Sequence, residues 1–188
     1  FQLGPASHMT HIQNLAAIAA SGELRSYNKM RGVSYFNLSN EDVQRGRAAI
    51  VVPETGRPLH DYVPLYFGFK TPMVAWNQTH NEQLVFLRCS LDVLAREGTV
   101  ISDGNARARG SRFRVFRVLD DLSLVDPRAI QTAKYAHDPE LKRRKQAEVL
   151  VPEVLPLFEL LDVICFNQPT AKQVVDILQR SGINKSVK

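Results

Sequence analysis

The fold is decided by the stretch Lys142-Arg143-Arg144-Lys145-Gln146-Ala147-Glu148-Val149-Leu150-Val151-Pro152. Its apolar run favours a buried β-strand, and Pro152 ends that strand because proline has no N–H to donate to a ladder. Glu148 opens the strand, where a carboxylate costs free energy unless a partner or a ligand uses it. The cations before it would attract an anion, such as a dinucleotide or a nucleic-acid backbone. The alternative is a solvated basic helix end with Glu148 facing water.

Length and composition indicate one globular domain. The 188 residues carry a formal net charge of +5 at pH 7, with 44% hydrophobic and 23% charged residues. This allows a sizeable core and favours an acidic partner. No apolar run approaches the ~20 residues that span a bilayer, so we expect no membrane-spanning segment. Cys89 and Cys165 lie in apolar runs of a chain with no apparent signal peptide, which predicts a reducing, cytoplasmic setting. They are too few and too far apart for a zinc site.

The first eight residues resemble the remnant of an expression tag. Phe1-Gln2-Leu3-Gly4-Pro5-Ala6-Ser7-His8 reads as a protease site and a linker, so we expect the natural chain to start at Met9. The chain then divides into a tag remnant at residues 1–8 and a single domain at residues 9–188.

A histidine lies at the first predicted strand-to-helix junction. Thr10-His11-Ile12 is predicted as a short strand, followed by Asn14 as the N-cap of a helix over 15–21. At such a junction free backbone N–H groups can meet a ligand. A single histidine there is more often structural, so both interpretations remain open.

A second helix is predicted over 41–47, capped by Ser39 or Asn40. Acids in its first turn and cations in its last turn suit the helix dipole. Because a glycine weakens the last turn, Arg47 is predicted at a frayed end or in the loop beyond. On this evidence Arg45 and Arg47 need be no more than surface cations.

An aromatic segment over 59–69 is predicted as a strand that leads into a helix. Thr71 would cap that helix and Pro72 would occupy its first position. A short strand is also predicted at 33–36. Aromatic side chains delivered to a helix N-terminus could form a platform for a flat ring, although plain core is the alternative.

Five arginines and no acid lie between Arg107 and Arg117, with Phe113 and Phe116 among them. They follow predicted strands over 83–90 and 99–102 and a turn at Asp103-Gly104-Asn105. Arginines interleaved with aromatics suit phosphate contact and base stacking. The alternative is a basic loop that only keeps the protein soluble.

The order of elements predicts an α+β fold. Helices are expected over 128–136, 140–145 and 170–180, a strand over 157–166, and a frayed tail over 185–188. Strands and helices do not alternate regularly, which favours antiparallel pairing over a doubly wound sheet. The chain has no Gly-x-Gly-x-x-Gly, no Walker A loop, no Gly-x-Ser-x-Gly and no His-Glu-x-x-His.

Together these segments resemble the DarT toxins, which are bacterial DNA ADP-ribosyltransferases. The resemblance extends from residue 9 to about residue 164, and Gly46 separates the arginines that the family usually pairs. It is carried by Thr10-His11-Ile12-x-Asn14-Leu15, Val43-Gln44-x-x-Arg47, Leu59-His60-Asp61-Tyr62-Val63-Pro64-Leu65-Tyr66-Phe67, Pro72-Met73, Asp103-Gly104-Asn105-Ala106 and the run over 142–151.

The resemblance implies an ADP-ribosyltransferase-like fold, in which two small, mainly antiparallel sheets form an NAD cleft flanked by helices. It implies the toxin of a toxin–antitoxin system, which transfers ADP-ribose from NAD to thymidine in single-stranded DNA and releases nicotinamide. NAD would be a substrate, no metal would be needed, and the partner would be a DarG-like macrodomain antitoxin.

The resemblance also implies roles for individual residues. Glu148 would be the catalytic carboxylate, and Arg47 would stabilise the deprotonated base and the NAD phosphates. The residues expected to bind NAD are His11, Asn14, Arg47, Tyr66, Phe69, Thr71 and Met73. Those expected to bind DNA are Arg107, Arg109, Arg112, Arg114, Lys134, Arg143 and Arg144.

Two other functions remain open from the sequence. The same transferase could modify guanine, RNA or protein. A non-catalytic nucleic-acid-binding module could use the basic segments alone, but such a module has no need for Glu148 at the start of a buried strand.

Overall fold

The structure is a computed structural model that describes residues 3–39 and 41–188. Its strands are β1 (Ala6–His11), β2 (Glu23–Arg25), β3 (Tyr62–Tyr66), β4 (Leu84–Cys89), β5 (Val100–Ser102), β6 (Phe113–Val115), β7 (Glu148–Pro152), β8 (Val154–Pro156), β9 (Leu160–Cys165) and β10 (Ser186–Val187). Its α-helices are α1 (Ile12–Ser21), α2 (Glu41–Ala48), α3 (Pro72–Trp76), α4 (Pro127–Gln131), α5 (Pro139–Arg144) and α6 (Gln168–Arg180). Within the described ranges, no helix is both long and apolar enough to cross a membrane.

Eight strands form one sheet in the order β10-β9-β4-β1-β3-β7-β5-β6, and β2 pairs with β8 in a separate ribbon. Every pairing in the large sheet is antiparallel except that of β9 with β10. The predicted α+β fold with antiparallel pairing is confirmed. The division into two small sheets is different, because β1 joins two four-stranded halves.

The junction between the two halves is narrow. Strand β1 pairs with β4 over six residue pairs but meets β3 only where Ser7 lies opposite Tyr66. The only other hydrogen bond that the structure shows between these two described strands joins the His8 imidazole and the Pro64 carbonyl at 3.0 Å. The two halves of the sheet are therefore joined by a short ladder.

The predicted strand β7 lies near the centre of one half and is buried on both faces. Val149 and Val151 pack with Leu65 in the main core, whereas Leu150 packs on the other face with Tyr62. Burial on both faces explains why this segment reads as an unbroken apolar run rather than an alternating one.

The first helix begins earlier than predicted, and its cap is different. His11, not Asn14, is the N-cap, and its Nδ1 accepts a hydrogen bond from the Gln13 N–H at 3.2 Å. Asn14 lies inside α1, where its amide donates to the Phe36 carbonyl at 2.9 Å and accepts from the Phe36 N–H at 2.7 Å. The prediction failed because the asparagine has a distant backbone partner that local sequence does not reveal.

Part of the predicted tag remnant is ordered within the sheet. Ala6, Ser7 and His8 pair with Cys89, Arg88 and Leu87, in that order. The unsatisfied edge of β4 accepts any adjacent extended chain, so this pairing does not depend on the residues' origin. Phe1 and Gln2 lie outside the described residues, and the tag origin of residues 1–8 stays a prediction.

Other local predictions differ from the structure. Residues 33–36 form no strand. Arg47 lies in the last turn of α2, at the end of the helix and not in the loop beyond, which were the two predicted positions. The tail is not frayed, because β10 pairs with β9 and Lys188 forms an ion pair with the buried Asp162. The predicted capping role of Asn40 lies outside the described residues.

Candidate active site

Glu148 occupies the first position of β7, between two neighbouring strands. The register places Tyr66 of β3 opposite it on one side and Ser102 of β5 on the other. Its backbone N–H donates to the Ser102 hydroxyl at 3.2 Å. Glu148 is 0% exposed, so it does not face water as the alternative interpretation of the sequence required.

The Glu148 carboxylate is held by two donors. Arg47 Nη1 donates to Oε1 at 3.2 Å and to Oε2 at 3.1 Å, and the Ala106 backbone N–H donates to Oε1 at 2.9 Å. Truncation of Glu148 to alanine would leave the Arg47 charge and the Ala106 N–H without this partner in a buried site, so we expect it to lower the stability of the fold.

The surroundings fix the protonation states of Arg47 and Tyr66. Burial acts to lower the pKa of Arg47, but the adjacent Glu148 carboxylate outweighs it and raises that pKa. Burial, followed by the charge of Glu148, raises the pKa of Tyr66. Arg47 therefore stays cationic and Tyr66 neutral, so neither side chain is a general base near neutral pH.

A cavity of about 700 Å³ lies beside this pair. Arg47 and Tyr66 contribute to its wall, so both connect the cavity to the buried carboxylate. Its size suits a small-molecule substrate or cofactor. The rest of its wall includes Thr10, Asn14, Gln44, Pro64, Met73 and the segment over 33–39.

Four of the residues predicted to bind NAD line this cavity. They are Asn14, Arg47, Tyr66 and Met73. Asn14 also fixes the segment over 33–39, through the two hydrogen bonds to Phe36 described above. The fold thus brings predicted NAD residues from α1, α2, β3 and α3 together around one cavity.

The other three predicted NAD residues do not line this cavity. His11 Nε2 donates to the Gln83 side-chain oxygen at 3.0 Å, and its ring stacks on Phe36 at 3.9 Å between centroids. Thr71 is buried as the N-cap of α3, and Phe69 packs edge-on against Phe86. The burial of His11 and Thr71 favours support of the wall, whereas Phe69 is 36% exposed.

His60 and Tyr27 also line the cavity, although the sequence predicted no role for either residue. Their rings lie 4.2 Å apart between centroids. Burial, followed by the charge of Arg47, lowers the pKa of His60, which keeps its imidazole neutral near pH 7. The sequence did offer a signal for His60, because this residue lies within the run over 59–67 that carries the family resemblance.

The turn after β5 positions the donor to Glu148. Asp103 accepts hydrogen bonds from Arg143 Nη1 at 2.6 Å and from the Arg112 N–H at 2.9 Å. These donors outweigh the burial of Asp103 and hold its pKa below the usual value. A Cβ on Gly104 would lie 2.8 Å from the Arg143 carbonyl oxygen, so this position accepts only glycine without movement. The tight turn brings Ala106 to the carboxylate.

We expect Gly104→Ala to lower the free energy of unfolding by about 1–3 kcal/mol, because its Cβ meets backbone that cannot move aside. Chemical denaturation measures this change. Gly46→Ala is the matched control, since its Cβ meets only the flexible Arg107 side chain and alanine is preferred in helices by about 0.8–1.0 kcal/mol. Equal stability of the two variants would contradict this account of the turn.

Most of the residues predicted to bind DNA have acidic partners from elsewhere in the chain. Arg112 pairs with Asp103, Arg114 lies 3.7 Å from Asp121, and Arg144 pairs with Glu140. The segment over 107–117 contains no acidic residue, but the fold brings acidic side chains next to two of its arginines.

Arg143 has the least exposed side chain of the four paired arginines. Its side chain is only 12% exposed and is held by Asp103, Glu140 and Ser111. This placement favours a structural role, because a phosphate would have to displace two carboxylates. Arg107, Arg109 and Lys134 are exposed, and no side-chain ion pair engages them within the described ranges.

In the part of the chain that the structure describes, no three His, Cys, Asp or Glu side chains lie close enough together to hold a metal ion.

Comparison with solved structures places this fold among the ADP-ribosyltransferases that act on DNA. DarT of Thermus sp. 2.9 in complex with ADP-ribosylated single-stranded DNA matches with a TM-score of 0.88 and 29% identity, over 97% of this chain and 92% of that one. The same protein in complex with NAD⁺ matches with a TM-score of 0.83 and 29% identity, over 100% and 95% of the two chains.

Sequence comparison gives the family. A DNA ADP-ribosyl transferase of Thermus sp. (strain 2.9) is 32% identical over 187 residues, which cover 94% of this chain and 88% of that protein. Residues 7–188 match the family model described as "ssDNA thymidine ADP-ribosyltransferase, DarT". The chain belongs to the DarT family.

Proposed function

We propose that this chain transfers ADP-ribose from NAD to thymidine in single-stranded DNA and releases nicotinamide. The observation that carries the proposal is the buried Arg47–Glu148 pair, of which Arg47 lines a cavity of about 700 Å³. Such a pair is poorly explained by stability alone, because burying two charges costs about as much as their attraction returns. A non-catalytic binding module would have no need for it.

Glu148 would act on the ribose of NAD. Breaking the bond between nicotinamide and ribose leaves its electron pair on nicotinamide and develops positive charge on the ribose. A fixed carboxylate beside the ribose stabilises that charge and can accept a hydrogen bond from the 2′-hydroxyl. Only Arg47 contacts Oε2 among the described residues, so this oxygen retains capacity to accept that bond.

Arg47 would act on anions. It stays protonated, so it serves as a charge stabiliser and not as a base. When NAD binds, its phosphates would compete with Glu148 for the guanidinium and free the carboxylate. The acceptor N3 of thymine forms a bond to the ribose carbon and loses its proton, for which Glu148 is the nearest base. Arg47 would stabilise the deprotonated imide during this step.

The DNA strand would be held by exposed cations around this centre. Arg107 and Arg109 follow directly on the Ala106 turn, and Lys134 lies on the loop before α5. Phosphate contacts by such residues position a strand without reading its sequence. Duplex DNA would be a poor substrate, because pairing blocks N3 of thymine and extruding the base costs a few kcal/mol.

The test is a transfer assay with NAD labelled in the ADP-ribose moiety. We expect label on single-stranded oligonucleotides that contain thymidine, and none on oligonucleotides of adenine, cytosine and guanine. A thymidine-containing duplex should be modified more slowly. Label on guanine, on RNA or on protein instead of thymidine would change the acceptor, and binding of the oligonucleotide without any transfer would favour the non-catalytic module.

The biological setting follows from the chemistry. ADP-ribosylated thymidine cannot pair through N3, so the product would block template use and make the chain a toxin. We propose a cytoplasmic site of action and a macrodomain antitoxin, DarG-like, that removes ADP-ribose from DNA. The assay above detects it as loss of label when such a macrodomain is added.

A further inference from the structure

A second groove, of about 960 Å³, lies outside the cavity described above. One wall is the outer face of α3 with Trp76, and the other is the segment over 133–138 together with Lys142. Trp76 is the only tryptophan of the chain and is 69% exposed. Because Trp76 lines the groove, most of its indole surface is open to a ligand there.

Helix α3 is the wall that the groove shares with the cavity. Met73 lines the cavity, whereas Pro72, Ala75 and Trp76 line the groove. The opposite wall leads through α5 to Glu148, four residues after that helix ends. A chain lying in the groove would therefore be separated from the cavity by α3 alone.

The charge of the groove selects an anion. Lys134 and Lys142 line it, and the one carboxylate among its described lining residues is Asp138. Asp138 is occupied as the N-cap of α5, where it accepts from the Leu141 N–H at 2.9 Å. The groove thus offers two ammonium groups and a flat aromatic face.

A buried lysine holds the wall formed by the segment over 133–138 in place. The buried Lys145 donates from Nζ to the carbonyl oxygens of Ile130 at 2.7 Å and Thr132 at 2.6 Å. The same ammonium lies 5.3 Å from the centre of the Tyr135 ring. Tyr135 is therefore fixed as a second aromatic surface across from Trp76.

We propose that this groove binds the nucleotide next to the target thymidine, with its base stacked on Trp76 and its phosphate beside Lys134 and Lys142. The proposal rests on the proposed function, since it assigns the context-reading subsite of the same reaction. Aromatic stacking and cationic side chains along a groove are the means by which proteins hold unpaired strands. A groove of this kind distinguishes the flanking base by its stacking strength and size.

Trp76 itself reports on the test, because its fluorescence is the only tryptophan signal of the chain. The probe is a short single-stranded oligonucleotide with one thymidine, titrated without NAD so that no transfer occurs. Fluorescence anisotropy of a label on the oligonucleotide measures binding independently. We expect bound DNA to quench Trp76, and the quenching to disappear when one base beside the thymidine is replaced by an abasic site.

Variants provide the second measurement. Trp76→Ala should weaken oligonucleotide binding by about 5- to 150-fold, the loss expected for one stacked base. Trp76→Phe should restore most of the affinity, which a purely structural role would not predict. Phe158→Ala is the matched control, because Phe158 is 77% exposed and does not line the groove.

Several results would overturn the proposal. They are saturated binding without quenching, quenching that is lost only when the thymidine base itself is removed, tighter binding of RNA of the same sequence, and equal effects of Trp76→Ala and Phe158→Ala. These measurements need no NAD, so they are separate from the transfer assay. Quenching without transfer would reject the proposed function while retaining the groove as a nucleotide site.

Discussion

Glu148→Gln should reduce the rate of ADP-ribose transfer by about 10²–10³-fold or more, the loss seen when one preorganised electrostatic group is removed from an active site. Glutamine keeps the shape of the side chain and an oxygen that can accept from the Ala106 N–H. It removes the negative charge that would stabilise the developing cation on the ribose. The measurement is the initial rate of transfer to a thymidine-containing oligonucleotide.

Glu153→Gln is the matched control for this change. Glu153 follows the same strand, but it is half-exposed and its ion pairs with Lys29 and Arg57 are on the surface. Surface pairs of this kind contribute about 0–1 kcal/mol, so both stability and rate should stay close to those of the unmodified chain. A wild-type rate for Glu148→Gln would remove Glu148 from the mechanism.

Arg47→Ala should impair transfer by at least about 10²-fold, because it removes the charge that faces both the cavity and the carboxylate. It should also lower the free energy of unfolding by about 3–5 kcal/mol, because it leaves the buried Glu148 charge without its ion-pair partner. Denaturation and transfer assays on the same preparation measure the two effects.

Two variants separate chemistry from stability. In Arg47→Ala/Glu148→Gln neither charge remains, so part of the stability should return while transfer stays lost. Arg45→Ala is the control on the same helix, since its side chain is 75% exposed and pairs only with Asp42 among the described residues. It should change stability by no more than about 0.5 kcal/mol. A larger loss of transfer in Arg45→Ala than in Arg47→Ala would move the role to Arg45.

The large sheet shows which part of the fold the order of elements could predict and which part it could not. The order of elements predicted antiparallel pairing, and the structure confirms it. The pattern could not show that β1 bridges the two halves through one residue pair, Ser7 with Tyr66. Strand order depends on which edges meet in space, and that information is spread over distant segments of the chain.

The arginines show where local reasoning misleads. Arg112, Arg114 and Arg143 stand in basic stretches, yet each is paired with a carboxylate that folding brings from outside its stretch. The net charge of a sequence segment describes its composition. It does not give the electrostatic field around each side chain, which depends on the neighbours that folding supplies. The structure leaves Arg107, Arg109 and Lys134 exposed among the predicted DNA contacts, and it adds Trp76 at the groove.

The sequence by itself determined the strand at 148–152, the class of fold and the candidate carboxylate, because alternation, apolar runs and proline act over a few neighbouring residues. It also carried the family resemblance. Only the tertiary structure decided that Glu148 is buried and held by Arg47 and Ala106, since these partners stand 101 and 42 residues away along the chain. A carboxylate's neighbours in space set its chemistry, and they are chosen by the packing of the whole sheet.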